Sequence, residues 1–397
     1  MKAVVDASSL AMTLRGLKLG DAKIKLEKGQ KKEDVVMVTI CAQNNRLRVQ
    51  LGAFDTVLTA YDRAKARWNS DVARYTVTVE IHAQVTEEGA YQLSLAAAKQ
   101  IAKFCTGGNV ELYADRNRME LVQGKRKSAV VVRRGELIGF PDIGAGTVIS
   151  WDALCGVVSS YSAPDDTLSC LHQWVAVEPR PTGTTVSWTD GVQMLWQALD
   201  PDLPGDRILV PLFAIECLEA LKSAEDTVEC TPTGIQCGGC CVTYLEQAPS
   251  YPHTLDVIQQ AERVSGYTEV KTTCEDIRAM LKRLSSCMHD EVVLSATEDR
   301  LRMLAYDDRG EPRRRKKCTC WEDCPRAETW VDAAVDRPFG AVGLNAARLK
   351  RAIGSYSGEL TLRVLDADSP IFMNIENSGI RTVLMPLYPS FNRTTID

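Results

Sequence analysis

No stretch of this chain reaches the eighteen or so consecutive apolar residues of a membrane-spanning helix. The first twenty residues also lack the basic, apolar and small-residue regions of a secretory leader. A cytoplasmic protein that does not enter a membrane is expected. Nor is there an excess of positive charge: 47 Lys and Arg stand against 52 Asp and Glu, a net −5. That excludes a uniformly basic nucleic-acid binder but not a local basic surface on an acidic protein. Histidine is scarce, and His82, His172, His253 and His289 fall in unrelated segments. There is no GxSxG, no GxxxxGK[ST], no GxGxxG ahead of a helix and no HExxH. The paired acids Asp165-Asp166 and Asp307-Asp308 read as solvated turns. With no nucleophile set beside a base, no catalytic residue and no cofactor are expected.

Cysteine, by contrast, is plentiful, at fourteen residues. Cys41, Cys105, Cys155, Cys217 and Cys274 sit within apolar-periodic segments, where a free thiol behaves as a small buried hydrophobe. No disulfide framework is expected. Cys237-Gly238-Gly239-Cys240 has CxxC spacing, but a redox CxxC opens a helix in a βαβ setting. Here the flanking strands place it across a hairpin with Gly-Gly at the tip. Cys318, Cys320 and Cys324 follow the basic run at 313–317. Three thiols with Asp323 as the nearest fourth donor and no adjacent histidine fall short of a structural zinc set, so no metal is assigned. The two readings of this segment are a metal-binding regulatory element and an exposed basic loop, solvated or touching DNA.

The most informative feature is an internal repeat. One unit runs helix, strand, tight turn, strand. It appears as Leu93–Cys105 with 109–114 and 118–123, as Pro211–Lys222 with 227–230 and 235–237, and as Leu344–Ile353 with 359–365 and 371–375. Each copy ends in a further strand, at 129–133, 240–246 and 380–387. Apolar spacing near i, i+3, i+4, i+7 gives the helices, as in Leu344, Leu349, Ala352 and Ile353. Alternation gives the strands, as in Val110-Glu111-Leu112, and Asp, Asn, Gly and Pro give the turns. A related unit precedes each copy. Its helices are Asp6–Leu17, Trp151–Ser160 and Thr273–Leu284, with Asp6 and Ser150 as candidate caps. Its strand pairs are 35–42 with 46–51, 174–178 with 184–188, and 292–296 with 301–306. A first strand covers Lys2–Val5. Six units taken two at a time make three domains of one design, with joins near 140–146 and 261–267.

This arrangement resembles the β sliding clamp of bacterial-type DNA polymerase III, and local segments agree. Val383-Leu384-Met385-Pro386-Leu387 is similar to that family's terminal Val-Met-Pro-Met ending. Trp188-Thr189-Asp190-Gly191 is similar to its Ala-Thr-Asp-Gly turn. Arg207-Ile208-Leu209-Val210-Pro211, Tyr251-Pro252, the helix-opening Asn345, and Met1-Lys2 followed by Leu10 and Leu14 also fit. The likeness spans the whole chain and rests on the ordered set together with the repeat.

The resemblance implies an α+β DNA clamp fold with domains at 1–142, 143–264 and 265–397. The third would carry the Cys-rich insertion near 311–328 and a tail at 388–397. It implies a homodimeric head-to-tail ring, helices inside and antiparallel sheets outside, that encircles duplex DNA. DNA polymerase and clamp loader would be held through short peptide motifs, with no chemistry of the ring's own. A ring holds DNA by topology, so modest positive charge on the inner helices suffices. Arg15, Lys18, Lys99, Lys103, Arg278, Lys282, Arg283 and Arg351 are the candidate DNA-facing residues, Lys99 and Lys103 sharing a helix face. The resemblance places a partner-peptide pocket at Leu171, Thr189, Gly191, Val192, Gln193, Met194, Pro252, Val257, Asn345, Arg348, Val383, Leu384, Met385, Pro386 and Leu387. Leucine, valine and methionine suit an adaptable apolar pocket, although Leu171, Val383 and Leu384 also read as plain core strand residues.

Three departures stand out. Leu212 and Phe213 follow Pro211 where the family often has basic residues, so the second domain's helices keep little positive charge beyond Lys222. Val192-Gln193 replaces a His-Arg pair at the pocket rim. Ser285, Ser286 and Cys287 stand where apolar residues often close the ring, which fits a diverged clamp that binds partners but is poorly loaded. The tail, with Tyr388 and Phe391, is expected to fold over the pocket and compete with partner peptides.

Overall fold

The computed structural model describes residues 1–17, 31, 36–62, 67–159, 173–180, 183–199, 206–221, 226–244, 251, 253–263, 265–285, 291–306, 326–354, 356–376 and 378–386. Lys18, Leu171, Pro252, Leu387, the Cys318–Cys324 insertion and the tail at 388–397 lie outside the described residues. Seven helices are described: α1 (Ala7–Gly16), α2 (Leu95–Phe104), α3 (Trp151–Ser159), α4 (Leu212–Leu221), α5 (Thr254–Arg263), α6 (Cys274–Leu284) and α7 (Ala346–Ile353). None of them is long and apolar enough to cross a membrane.

Strands form where apolar and polar residues alternate. Asn109–Asp115 buries Val110, Leu112 and Ala114 and exposes the residues between them. Helices form where the apolar spacing lengthens to three and four, as in α6 with Cys274, Ile277, Met280, Leu281 and Leu284 buried. Four helices begin with one device, in which the last residue of a strand caps the helix that follows. Asp6 accepts from the N–H of Ser9 at 2.7 Å and Ser94 from Ala97 at 3.2 Å. Thr273 accepts from Asp276 at 3.0 Å and Asn345 from Arg348 at 3.0 Å. Each cap satisfies an otherwise orphan donor and is worth about 1 kcal/mol.

The chain packs as two compact units, Met1–Asp152 with Leu168–Pro179 and Leu203–Pro249, and Ala153–Thr167 with Arg180–Asp202 and Ser250–Asp397. In the first unit an antiparallel sheet runs in the order Thr147–Ser150, Thr227–Thr231, Gly234–Cys237, Cys240–Tyr244, Arg67–Glu87, Lys2–Asp6, Asn109–Asp115, Arg118–Gln123, Arg126–Val131. Arg46–Asp62 pairs along Arg67–Glu87, and Met37–Gln43 lies between Arg46–Asp62 and Gly89–Ser94. Asn44 and Asn45, at φ 52° and 57°, form the two-residue turn from Met37–Gln43 into Arg46–Asp62. Arg15 donates to the Ala102 carbonyl at 3.0 Å, tying α1 to α2.

In the second unit one sheet runs Gly183–Thr189, Gln193–Leu199, Ile380–Leu384, Ile371–Ile375, Glu359–Val364, Thr268–Thr273, Ala334–Val335, and a second runs Arg326–Asp332, Arg300–Tyr306, Glu291–Ala296, Phe339–Asn345. Their inner faces meet α6 and α7 in one core that includes Ile277, Met280, Leu294, Leu344, Leu349, Leu362 and Leu384.

The expected repeat units are present, most within a residue or two of their expected bounds; the strand expected at 46–51 runs on to Asp62, that at 129–133 is Arg126–Val131, and that at 380–387 is Ile380–Leu384. The sequence reading missed the strands Arg67–Glu87, Gly89–Ser94, Thr147–Ser150, Gln193–Leu199, Thr268–Thr273, Arg326–Asp332 and Phe339–Asn345, and α5. α5 ends at Arg263, within the span 261–267 where a join is expected. Among the described side chains of α5, Thr254 and Ile258 are fully buried and Val257 half-buried, and a single apolar buried position leaves little periodic signal.

Candidate functional site

The residues named for the peptide pocket gather around one hairpin and one strand of the second unit. Gly183–Thr189 and Gln193–Leu199 are joined by the turn at 190–192. Gly191 takes φ 88°, a left-handed conformation that glycine adopts without a Cβ clash. Asp190 organises the turn: its Oδ1 accepts from the N–H groups of Val192 at 2.9 Å and Gln193 at 2.7 Å. Thr189 Oγ1 donates to the Gln193 carbonyl at 2.7 Å and accepts from the Gly191 N–H at 3.0 Å. Gln193–Leu199 then pairs with Ile380–Leu384, Met194 opposite Val383. Beyond that strand the Met385 N–H donates to the Val192 carbonyl at 2.9 Å.

The second oxygen of Asp190 faces Arg348 Nη2 at 3.4 Å, with the Asp190 side chain wholly shielded and that of Arg348 a tenth exposed. Arg348 stands in the first turn of α7, whose cap is Asn345. The turn is thereby fixed to α7 by a buried ion pair. Asp190 was not among the expected site residues, although it lies within the Thr-Asp-Gly segment.

Strand alternation divides the expected pocket between two faces. Met194 and Val383 share the outer face with Trp196 and Ile258 in a small apolar cluster, against which Val257 and Phe372 pack. Gln193 and Leu384 point to the opposite face and are buried there, Leu384 in the core over α6 and α7. Gln193 Oε1 accepts no hydrogen bond. Gly191 and Met385 are exposed at the turn, with Val192 and Pro386 half-buried beside them. Thr189, Gln193 and Leu384 therefore build the site's frame, while Val192, Met385 and Pro386 form its accessible rim.

The candidate DNA-facing cations differ in how they are held. Arg278 donates to the carbonyls of Gly354 at 3.2 Å and Tyr356 at 2.5 Å and pairs with Glu275 at 3.2 Å, a tie between α6 and the end of α7. Arg283 donates to Thr329 Oγ1 and Arg351 to the Ala347 carbonyl. Lys103 and Lys282 are exposed, Lys99 half-buried. On the sheets, Lys2, Arg48 and Arg302 pair with Glu87, Glu80 and Glu328. Among the described residues, Arg15, Lys103, Lys282, Arg283 and Lys350 have no carboxylate within ion-pair distance. The α3 and α4 helices carry no cation.

Cys237 and Cys240 face each other across a two-residue turn in which Gly238 takes φ 54°. Gly239 approaches the Glu80 carbonyl so closely that a Cβ would lie 2.6 Å from it. Burial pushes the thiols up, Cys230 and Cys241 to about 12 and Cys105 to about 11, which keeps them protonated and poorly nucleophilic. The CxxC is a hairpin, as its setting indicated. Among the described residues no group of His, Cys, Asp and Glu is arranged to hold a metal.

No family model and no curated protein matches the sequence. Solved structures do. The chain is similar to Caulobacter crescentus pol III β at 17% identity and a TM-score of 0.71, over 98% of this chain and 100% of that one. It is similar to the Helicobacter pylori β clamp bound to a DNA ligase peptide at 14% identity and 0.68, over 98% and 100%. It is also similar to the Bartonella birtlesii DnaN sliding clamp bound to griselimycin at 17% identity and 0.70, over 98% and 99%. The chain thus has the α+β fold of these clamp subunits along nearly its whole length.

Proposed function

We propose that this chain is a sliding clamp, a non-catalytic processivity factor. The observation that carries the reading is a match in fold to clamp subunits over 98% of this chain and essentially all of theirs. In this reading the six repeat units form three domains, 1–142, 143–264 and 265–397. Two copies close head to tail around duplex DNA, with helices inward. Charge placement supports it, because a phosphate backbone needs cations that are not already neutralised, and among the described residues α1, α2, α6 and α7 each carry at least one, Arg15, Lys103, Lys282 and Lys350. The absence of cations on α3 and α4 makes the middle domain's hold on DNA the weakest.

Two sheet edges that are unpaired among the described residues support ring closure. Arg126–Val131 ends one sheet with Val131 80% exposed, and Arg326–Asp332 ends another with Trp330 51% exposed. An open edge with exposed apolar side chains is a template for pairing. Partner peptides, of DNA polymerase and clamp loader, would dock at Val192, Met385 and Pro386 and over the Met194–Val383 cluster. A clamp of this fold holds a DNA ligase peptide.

The test is retention on circular against linearised duplex after incubation with a clamp loader. A topological clamp stays on circles and runs off linear ends. Equal retention on both would make the protein an ordinary DNA ligand and discard the reading.

A further inference from the structure

Two residues along the strand pair from Met194 and Val383, the outer face of the second unit's larger sheet opens into a groove of about 370 Å³. Its floor is apolar: Trp196 and Ile258 are buried, and Phe372 is half-buried, its ring edge-on to Tyr267 at 5.5 Å and 85°. Its rim carries Lys271, Arg363 and Arg381 against a single lining carboxylate, Glu269. Glu269 lies 3.6 Å from Arg363, and Lys271 lies 3.8 Å from Glu359 just outside the groove. Arg363 also stacks 4.7 Å over the Tyr267 ring. The two ion pairs are exposed, and such pairs hold so weakly that an incoming carboxylate can take over either cation at little cost.

We infer that this groove is a specificity site for acidic residues flanking the apolar anchor of a partner peptide, an inference that rests on the partner-docking reading above. An apolar floor beside the Met194–Val383 cluster accepts a leucine or aromatic side chain. The cationic rim accepts carboxylates placed within a few residues of it. The observations favour a peptide over a nucleic acid. Glu269 sits in the lining, the rim has only three cations, and the volume suits a few side chains rather than a run of bases and phosphates.

The experiment uses the full chain and three fluorescein-labelled synthetic peptides that share a Leu-Phe anchor, flanked on both sides by Glu-Glu, Lys-Lys or Ser-Ser. Anisotropy titrations at low salt should rank the Glu-flanked peptide at least tenfold above the Lys-flanked one, with the Ser-flanked peptide between. Lys271→Glu/Arg381→Glu should invert the order. Lys271→Gln/Arg381→Gln, which is gentler to folding, should erase it. Equal binding of all three peptides overturns the inference while leaving peptide docking intact. Failure of all three, with retention on circular DNA preserved, overturns it without touching the clamp reading. Equal binding of all three peptides that rises tenfold or more on truncation after Pro386 would assign the groove to the chain's own residues 387–397. Displacement of the Glu-flanked peptide by oligo-dT would assign it to polyanions. Either result overturns the inference.

Discussion

Asp190 accepts two backbone hydrogen bonds and faces Arg348 with its side chain out of contact with water. Removing one member of such a pair leaves the other charged and buried, which costs about 3–5 kcal/mol. Arg348→Met should therefore lower the urea midpoint of the second unit markedly. Asp190→Asn/Arg348→Met, which keeps an oxygen to accept from Val192 and Gln193 and removes both charges, should recover much of the loss. A double variant no more stable than Arg348→Met would show that the pair does not hold the turn. The sequence offered half of this arrangement. Thr189, Gly191, Val192 and Arg348 could be named from the resemblance to the clamp family. Asp190 could not, because its value comes from a partner far along the chain that only the fold brings within 3.4 Å.

Helices and strands were more legible than side-chain roles, for a physical reason. A helix such as α2 declares itself through Leu95, Ala98, Ile101 and Ala102 on one face and through Ser94 at its cap, all local signals. Elements whose burial is decided by distant chain were not declared. Arg67–Glu87 pairs with Lys2–Asp6 along 83–87 and with Cys240–Tyr244 along 75–79, and α5 buries Ile258 against Met194, Trp196 and Val383 from far along the chain. Close approach between elements is equally hidden. Gly16 ends α1, and a Cβ there would stand 2.5 Å from Leu221 Cδ2 and 2.6 Å from the Ala220 carbonyl of α4. Helix propensity alone would favour Gly16→Ala by up to about 1 kcal/mol. A backbone carbonyl cannot turn aside, and overpacking costs about 1–3 kcal/mol. Gly16→Ala should therefore lower the thermal midpoint, whereas Met12→Ala at an exposed position of the same helix should leave it nearly unchanged. A Gly16→Ala protein as stable as the parent would mean that α1 and α4 do not pack this closely.

On the scale of the whole molecule, a net charge of −5 and a DNA-encircling role are compatible only if the cations are sorted by location. Sheet cations such as Lys2, Arg118 and Arg302 lie against Glu87, Glu120 and Glu328, whereas Lys103, Lys282 and Lys350 on α2, α6 and α7 have no carboxylate within ion-pair distance among the described residues. Two triple variants separate location from net charge, since each makes the protein more negative by three. Lys103→Gln/Lys282→Gln/Lys350→Gln removes cations free to meet phosphate. Each phosphate contact contributes about 0.9 to the slope of log affinity against log salt concentration, so this variant should flatten the slope for duplex DNA by up to about 3. Lys2→Gln/Arg118→Gln/Arg302→Gln removes sheet cations that each have a carboxylate beside them to offset their pull on phosphate, and its slope should stay within one unit of the parent. If net charge alone governed the interaction, the two variants would behave alike. Unequal slopes would place the DNA on the helix side of the molecule, because no difference in total charge remains to account for them.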